Sequence, residues 1–307
     1  MPLPSSGPIS LSQVNTELGL SSTATISLND SAVRTLFGKT GSGTTISMSD
    51  GYGKANQFSF TISSNQTNAN LRTLAVNAGW NQSTKVVATI AGGVYISSNG
   101  TGTPALTVNG SFPNGVELVN NGFIIGMGGN GGNGAAGYYG STSATAGASG
   151  GLALSVSSAI AINNNGTIGG GGGGGGGGAS YSTGGGDYPA SGSGGGGGGG
   201  RSSAAANSSG GTWPRMGNFE FGGSNGAAGT VNGPGSGGAG GNHGSGTTRG
   251  GTGGTGGGWG SAGAGGGNSI NVGNYRAASG GGSGGNAVSG NGNITWLATG
   301  TRLGGIA

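Results

Sequence analysis

The sequence predicts a mostly irregular, all-β-like chain in three parts. These are a short helical N-terminal module (1–55), a small α/β or mainly β domain (56–125), and a C-terminal bundle of packed glycine helices (126–307). Three observations predict this. Gly supplies 86 of 307 residues, where average usage is about 7%. Leu, Ile, Val and Phe number only 48, too few for a conventional core at this length. The glycine is also uneven, with 14 in the first 120 residues and 72 in the remaining 187, and the step falls near Gly126.

In the first part a pattern occurs three times: Ile9-Ser10-Leu11-Ser12, Ile26-Ser27-Leu28-Asn29 and Ile46-Ser47-Met48-Ser49. Each is an apolar, polar, apolar triplet followed by a side-chain oxygen that can accept from free N–H groups at a helix start. Ser12, Asn29 and Ser49 are therefore the expected caps. The second copy is best formed: Asn29 and Asp30 precede Val33, Leu36 and Phe37 at helical spacing, and Gly38 is placed to close the helix in a left-handed conformation. A module this small has little core of its own, so it is expected to dock on something else.

In the second part Phe58, Phe60 and Ile62 alternate with polar residues as in a half-buried strand. Leu71 to Trp80 suits a short helix, and Lys85 to Ile90 and Val94 to Ile96 read as strands. Val116, Leu118 and Val119 lead into Asn120-Asn121-Gly122, a hairpin-like turn, and then Phe123 to Ile125.

The third part contains ten consecutive glycines from Gly169 to Gly178, seven from Gly194 to Gly200, and stretches with a three-residue beat such as Gly128-Gly129-Asn130-Gly131-Gly132-Asn133. A beat of three matches the three residues per turn of a polyproline II helix, so each side chain projects from one edge while two edges stay bare. Such a helix has no internal hydrogen bonds, so its N–H and C=O groups must pair with neighbouring helices. Two features argue against a flexible linker. Asn-Gly followed by Ile recurs where glycine runs meet ordinary sequence: Asn121-Gly122-Phe123-Ile124, Asn165-Gly166-Thr167-Ile168 and the related Asn291-Gly292-Asn293-Ile294. Clusters rich in aromatic residues and arginine also separate the runs, and these suit loops at the ends of a rigid slab.

Composition excludes several classes. The chain has no Cys and one His, so no catalytic or metal-ligating residues are expected. The six carboxylates, Glu17, Asp30, Asp50, Glu117, Asp187 and Glu220, offer no close pair for acid and base roles. Gly38-Lys39-Thr40 lacks the earlier glycine of a phosphate-binding loop, because position 33 is Val33. Ten basic residues against six acidic ones form no cluster, so no nucleic-acid partner is expected. No run is long and apolar enough for a membrane span, and the N-terminus has no signal-peptide pattern.

Segment 126–307 resembles the glycine-rich tip adhesins of T-even-like tailed bacteriophages. The resemblance rests on Asn121-Gly122-Phe123-Ile124-Ile125-Gly126 followed by the run from Gly128 to Gly137, on Asn164 to Ile168 with its ten glycines, and on glycine blocks alternating with diverse loops. Asn70 to Trp80 is similar to phage tail-fibre sequence, and the triple Ile-Ser-Leu module resembles N-terminal pieces of other phage tail proteins. The resemblance implies a virion tail protein, made in the host cytoplasm, whose distal domain is a sandwich of polyglycine II helices. It implies no enzymatic activity and no cofactor. The implied partners are a host outer-membrane protein or surface saccharide, and a phage tail-fibre or tail-tip protein through residues 1–55. The receptor-binding candidates it nominates are Tyr138, Tyr139, Tyr181, Asp187, Tyr188, Trp213, Arg215, Phe219, Phe221, Arg249, Trp259, Tyr275 and Arg276. The alternative is a non-adhesive structural or ice-binding-type protein, for which the Thr252/Thr255 and Asn130/Asn133 ladders are the relevant feature.

Overall fold

The computed structural model describes residues 3–41, 43–54, 56–82, 84–137, 142–183, 190–214, 220–243, 248–272 and 274–307. The fold is mostly β with few helices.

The N-terminal repeats build one recurrent turn. Gln13 Oε1 accepts from the Ser10 N–H at 2.8 Å, Asp30 Oδ2 from the Ser27 N–H at 2.8 Å, and Asp50 Oδ2 from the Ser47 N–H at 2.9 Å. In each case the N–H of the later residue also donates to the serine carbonyl. The serine inside the triplet and the residue three positions on thus close each turn, as in a capping box. In the first copy the cap is Ser10, two residues before the expected Ser12, and the third helical turn, Met48–Gly51, likewise follows Ser47 rather than Ser49. Helices Leu11–Glu17 and Ser31–Leu36 place Val14, Val33 and Leu36 in a small core with Leu3 and Phe37. Gly38 ends the second helix at φ 72°. Arg34 fixes the loop beyond it, donating to the Gly41 carbonyl at 2.7 Å and to Thr44 Oγ1 at 2.6 Å.

From Gln57 onward the strands wind into a three-sided parallel solenoid. The first face orders Gln57–Ile62, Lys85–Ile90, Val116–Asn120, Ile160–Asn164 and Ile294–Ala298. The second orders Gln66–Thr67, Tyr95–Ser97, Phe123–Ile125, Thr167–Gly169 and Thr301–Leu303. The third pairs Ala69–Asn70, Leu106–Val108, Leu154–Val156 and Val288–Ser289. All these pairings are parallel. Alternate residues point inward, and Val86, Ile90, Ile96, Leu106, Leu118, Ile124, Leu154, Ile162 and Ile168 fill one continuous core. Helix Leu71–Asn77 joins the first two coils, with Asn70 Oδ1 accepting from the Thr73 N–H at 3.1 Å.

The strands of 56–125 therefore do not close on themselves, and the sheets run across the expected division at 125/126. The glycine-rich segments 126–153 and 170–287 leave from the second face and return to the third. Asn120-Asn121-Gly122 makes no hairpin: it turns the corner between two faces, because strands 116–120 and 123–125 pair with the coils above and below. Asn121-Gly122-Phe123-Ile124 and Asn165-Gly166-Thr167-Ile168 are successive coils in register, Phe123 beside Thr167 and Ile124 beside Ile168. Asn291-Gly292 is not their equivalent, since Thr301 is the residue beside Thr167 in the last coil. A buried asparagine ladder runs up this corner: Asn120 Nδ2 donates to Asn164 Oδ1 at 2.7 Å, and Asn164 Nδ2 to the Thr299 carbonyl at 2.7 Å.

The glycine segments are held by backbone hydrogen bonds that repeat every three residues. Along the run 169–179, the N–H groups of Gly171, Gly174 and Gly177 donate to Gly151, Ala148 and Thr145; those of Gly172, Gly175 and Gly178 to Arg201, Gly198 and Gly195; those of Gly173, Gly176 and Ala179 to Ser261, Ala264 and Gly267. Its carbonyls accept from three further runs, 126–135, 251–257 and 279–285. One run thus touches six neighbours. The run 193–202 does the same, bonding with 126–135, 169–179, 208–212, 222–230, 235–241 and 251–257. Side chains cannot enter such contacts: a methyl group on Gly175 would collide with the Gly254 carbonyl oxygen. Backbone pairing therefore replaces apolar burial as the ordering interaction here.

Candidate functional site

The directions of the runs decide which loops share an end. The runs near 126–136, 169–179, 208–213, 234–241 and 261–268 lead away from the solenoid, and those near 142–151, 193–202, 222–229, 250–257 and 278–286 return to it. Loops 203–207, 230–234 and 258–260 therefore sit at the solenoid end. The described residues that flank the connectors 137–142, 180–192, 213–221, 242–249 and 269–277 all sit at the opposite, far end.

At the far end a four-stranded sheet orders Glu220–Phe221, Ala190–Gly192, Ser180–Thr183 and Asn274–Arg276, next to a two-stranded pair of Asn242–His243 and Thr248–Arg249. Phe221 and Tyr275 are exposed, at 38% and 44%. Arg249 is exposed and Arg276 half-buried, with the Arg276 guanidinium carbon 5.3 Å from the centre of the Tyr275 ring. Trp213 is half-buried, its ring lying over Gly222, where a Cβ would come within 2.5 Å of it. Asn225 Oδ1 holds the Trp213 N–H at 3.1 Å. Arg249, Arg276 and Glu220 are the charged residues in the strands at this end. Tyr138, Tyr139, Asp187, Tyr188, Arg215 and Phe219 lie outside the described residues, in connectors whose flanking residues are at this end.

Two candidates are placed differently from the expectation. Trp259 is at the solenoid end, 9% exposed, in the loop 258–260. Its indole N–H donates to the Ser202 carbonyl at 2.9 Å, Arg201 covers one ring face, and Phe123 of the solenoid lies 6.4 Å away, stacked in turn 4.4 Å from Tyr95. Trp259 thus belongs to the joint between slab and solenoid. Tyr181 is at the far end but fully buried, and burial holds its phenol above the usual tyrosine pKa of 10.0. Neither side chain is available to a ligand in solution.

Sequence reasoning missed Ile270, 38% exposed at the far end and bridged to Arg249, and nothing in its neighbourhood signals it. It also missed Asn225, although the three-residue beat does mark that position as an outward edge. The Asn130/Asn133 ladder is engaged within the chain: Asn130 Oδ1 accepts from the Ser209 N–H and Asn133 Oδ1 from the Thr212 N–H, each at 2.9 Å. Among the described residues, no group of acidic, His or Cys side chains could hold a metal ion, and no helix is long and apolar enough to cross a membrane.

A backbone-bonded slab thus extends from a parallel solenoid and carries Trp213, Phe221, Arg249, Tyr275 and Arg276 at its far end. The chain belongs to the phage tail fibre adhesin Gp38 family, which it matches over residues 57–307. It is also similar to a chain in the crystal structure of the gp37-gp38 adhesin tip complex of the bacteriophage S16 long tail fiber. The identity is 25% and the TM-score 0.54, and the match covers 98% of this chain and 99% of that one. No curated protein matches it. A tail fibre adhesin is a part of the virion tail and its family is not one of enzymes.

Proposed function

We propose that this chain is the receptor-binding tip of a phage tail fibre, and that its far-end loops engage an outer-membrane protein or surface saccharide of the host. The observation that carries this reading is that the described ends of five connectors lie at the end away from the solenoid, with Trp213, Phe221, Arg249, Tyr275 and Arg276 among them. Aromatic and arginine side chains on rigid supports supply much of the contact energy in binding surfaces. The undescribed candidates Tyr138, Tyr139, Asp187, Tyr188, Arg215 and Phe219 belong to the same proposed surface; Tyr181 and Trp259 do not.

The slab itself is, in this reading, a polyglycine II sandwich in three layers of runs. Support comes from the three-residue hydrogen-bond repeat and from the two runs that each bond to six others. Residues 1–55 form the attachment module for a tail-fibre or tail-tip protein. Their support is the small separate core, with Leu11, Leu20 and Tyr52 left 42%, 46% and 41% exposed, and the tip complex in which the related S16 chain was crystallised.

The test is binding of the labelled full chain, alone and clustered on beads, to bacterial strains that include deletions of single surface components. Saturable binding abolished by one deletion is the expected result. A folded sample that binds no strain in either form would overturn the proposal.

A further inference from the structure

Among the described residues Tyr181 is the largest fully buried side chain, yet it lies beyond the solenoid core, where the glycine runs supply no side-chain volume. Its strand is an inner one of the far-end sheet, and Tyr181 pairs with Gly192 on one side and Asn274 on the other. The ring occupies the space that Gly192 leaves open: a Cβ there would collide with Cε1, reach 3.1 Å from Cζ, and come within 2.9 Å of the Gly241 carbonyl oxygen. One aromatic ring thus wedges between its own strand, the 190–192 strand and the end of the run at Gly241. The residue after Asn274 is Tyr275, the extra residue where the register of this pairing shifts between Ser180 and Tyr181, and it is exposed. The Tyr181 hydroxyl, by contrast, has no hydrogen-bond partner among the described residues.

From this geometry we infer that Tyr181 is a positioning residue for receptor binding: its ring, not its hydroxyl, sets the spacing of strands 190–192 and 274–276 and so the placement of Tyr275 and Arg276. This rests on the receptor-binding reading above. A buried aromatic is the apolar mass on which this small sheet is ordered, and removing it leaves a cavity the glycine backbone cannot fill.

The test uses the full chain as wild type, Tyr181→Phe, Tyr181→Ala and Gly192→Ala. It measures binding to a strain that the wild type binds, and amide hydrogen exchange at 190–192 and 274–276 against that at 171–178. Tyr181→Phe should bind within about twofold of wild type, whereas Tyr181→Ala and Gly192→Ala should bind at least about tenfold more weakly. Both weak variants should exchange faster at 190–192 and 274–276 while 171–178 stays protected. Wild-type binding by Tyr181→Ala would overturn the inference. So would equal losses in Tyr181→Phe and Tyr181→Ala, which would make the hydroxyl the active group, and so would loss of protection throughout the slab. If the wild type binds no strain, the receptor reading fails by itself, and the exchange data still decide whether Tyr181 orders this sheet.

Discussion

The guanidinium carbon of Arg201 lies 3.6 Å from the centre of the Trp259 ring. Arg201 Nε also donates to the Val231 carbonyl at 3.1 Å, so one side chain at the end of run 193–202 ties together the loops 230–234 and 258–260 at the solenoid end of the slab. Ser203 Oγ completes the joint by donating to the Ser98 carbonyl of the solenoid. Trp259→Ala should destabilise the protein by about 3–5 kcal/mol, the usual cost of deleting a buried large aromatic. Folded Trp259→Ala protein should still bind cells within about twofold of wild type, because Trp259 is far from the loops that bear Tyr275. Thermal unfolding and cell binding of the same preparation check both parts.

Glycine is required at some slab positions and optional at others. On Gly175 a Cβ would strike the Gly254 carbonyl, inside a run bonded on six sides, whereas on Gly280 it would meet nothing within 4 Å. Gly175→Ala should cost more than about 3 kcal/mol or prevent folding. Gly280→Ala should fall within about 0.5 kcal/mol of wild type. Denaturant melts of the two variants decide this.

The corner ladder gives a third expectation. Asn164→Ala removes the acceptor of Asn120 Nδ2, a buried donor, and should cost about 1–3 kcal/mol through the unmet hydrogen bond. Asn165→Ala, which removes an exposed 3.0 Å bond to Asn121 Oδ1, should cost much less in the same melts.

The N-terminal module should weaken in acid. The Ser47 backbone N–H, then the Lys39 and Ser47 side chains, hold the Asp50 carboxyl below its ordinary value of 3.8, and Lys39 Nζ lies 3.3 Å from Asp50 Oδ1. A lowered folded-state pKa gives stability that is present above the unfolded value and is lost as pH falls through the folded one. Amides of 47–54 should therefore lose protection, measured against their intrinsic exchange rates at each pH, as the pH drops below about 4. In Asp50→Asn that acid dependence should be absent, with faster exchange at neutral pH.

Much of the slab was legible because its glycine pattern is itself a packing instruction: a bare edge marks a touching backbone, and a side chain marks an outward edge. The N-terminal turns were half legible. Ser10 to Gln13, Ser27 to Asp30 and Ser47 to Asp50 each carry the spacing of a reciprocal cap, but the apolar triplet drew attention to the following residue instead. The solenoid was hidden because its coils are interrupted. Phe123 and Thr167 are neighbours in one sheet, yet a glycine excursion separates them in sequence, so the repeat has no constant period. Trp259 was misplaced for a related reason. It stands between glycine runs just as Tyr275 does, and only the direction of each run shows that one faces the solenoid and the other the free end.

The most direct measurement is a cell-binding isotherm of the wild type beside the double variant Trp213→Ala/Tyr275→Ala, on a strain the wild type recognises. These side chains sit on separate far-end connectors and belong to neither the slab ladder nor the joint at Trp259. At unchanged melting temperature the variant should bind at least about tenfold more weakly. Binding equal to wild type would contradict the assignment of host recognition to this end of the molecule.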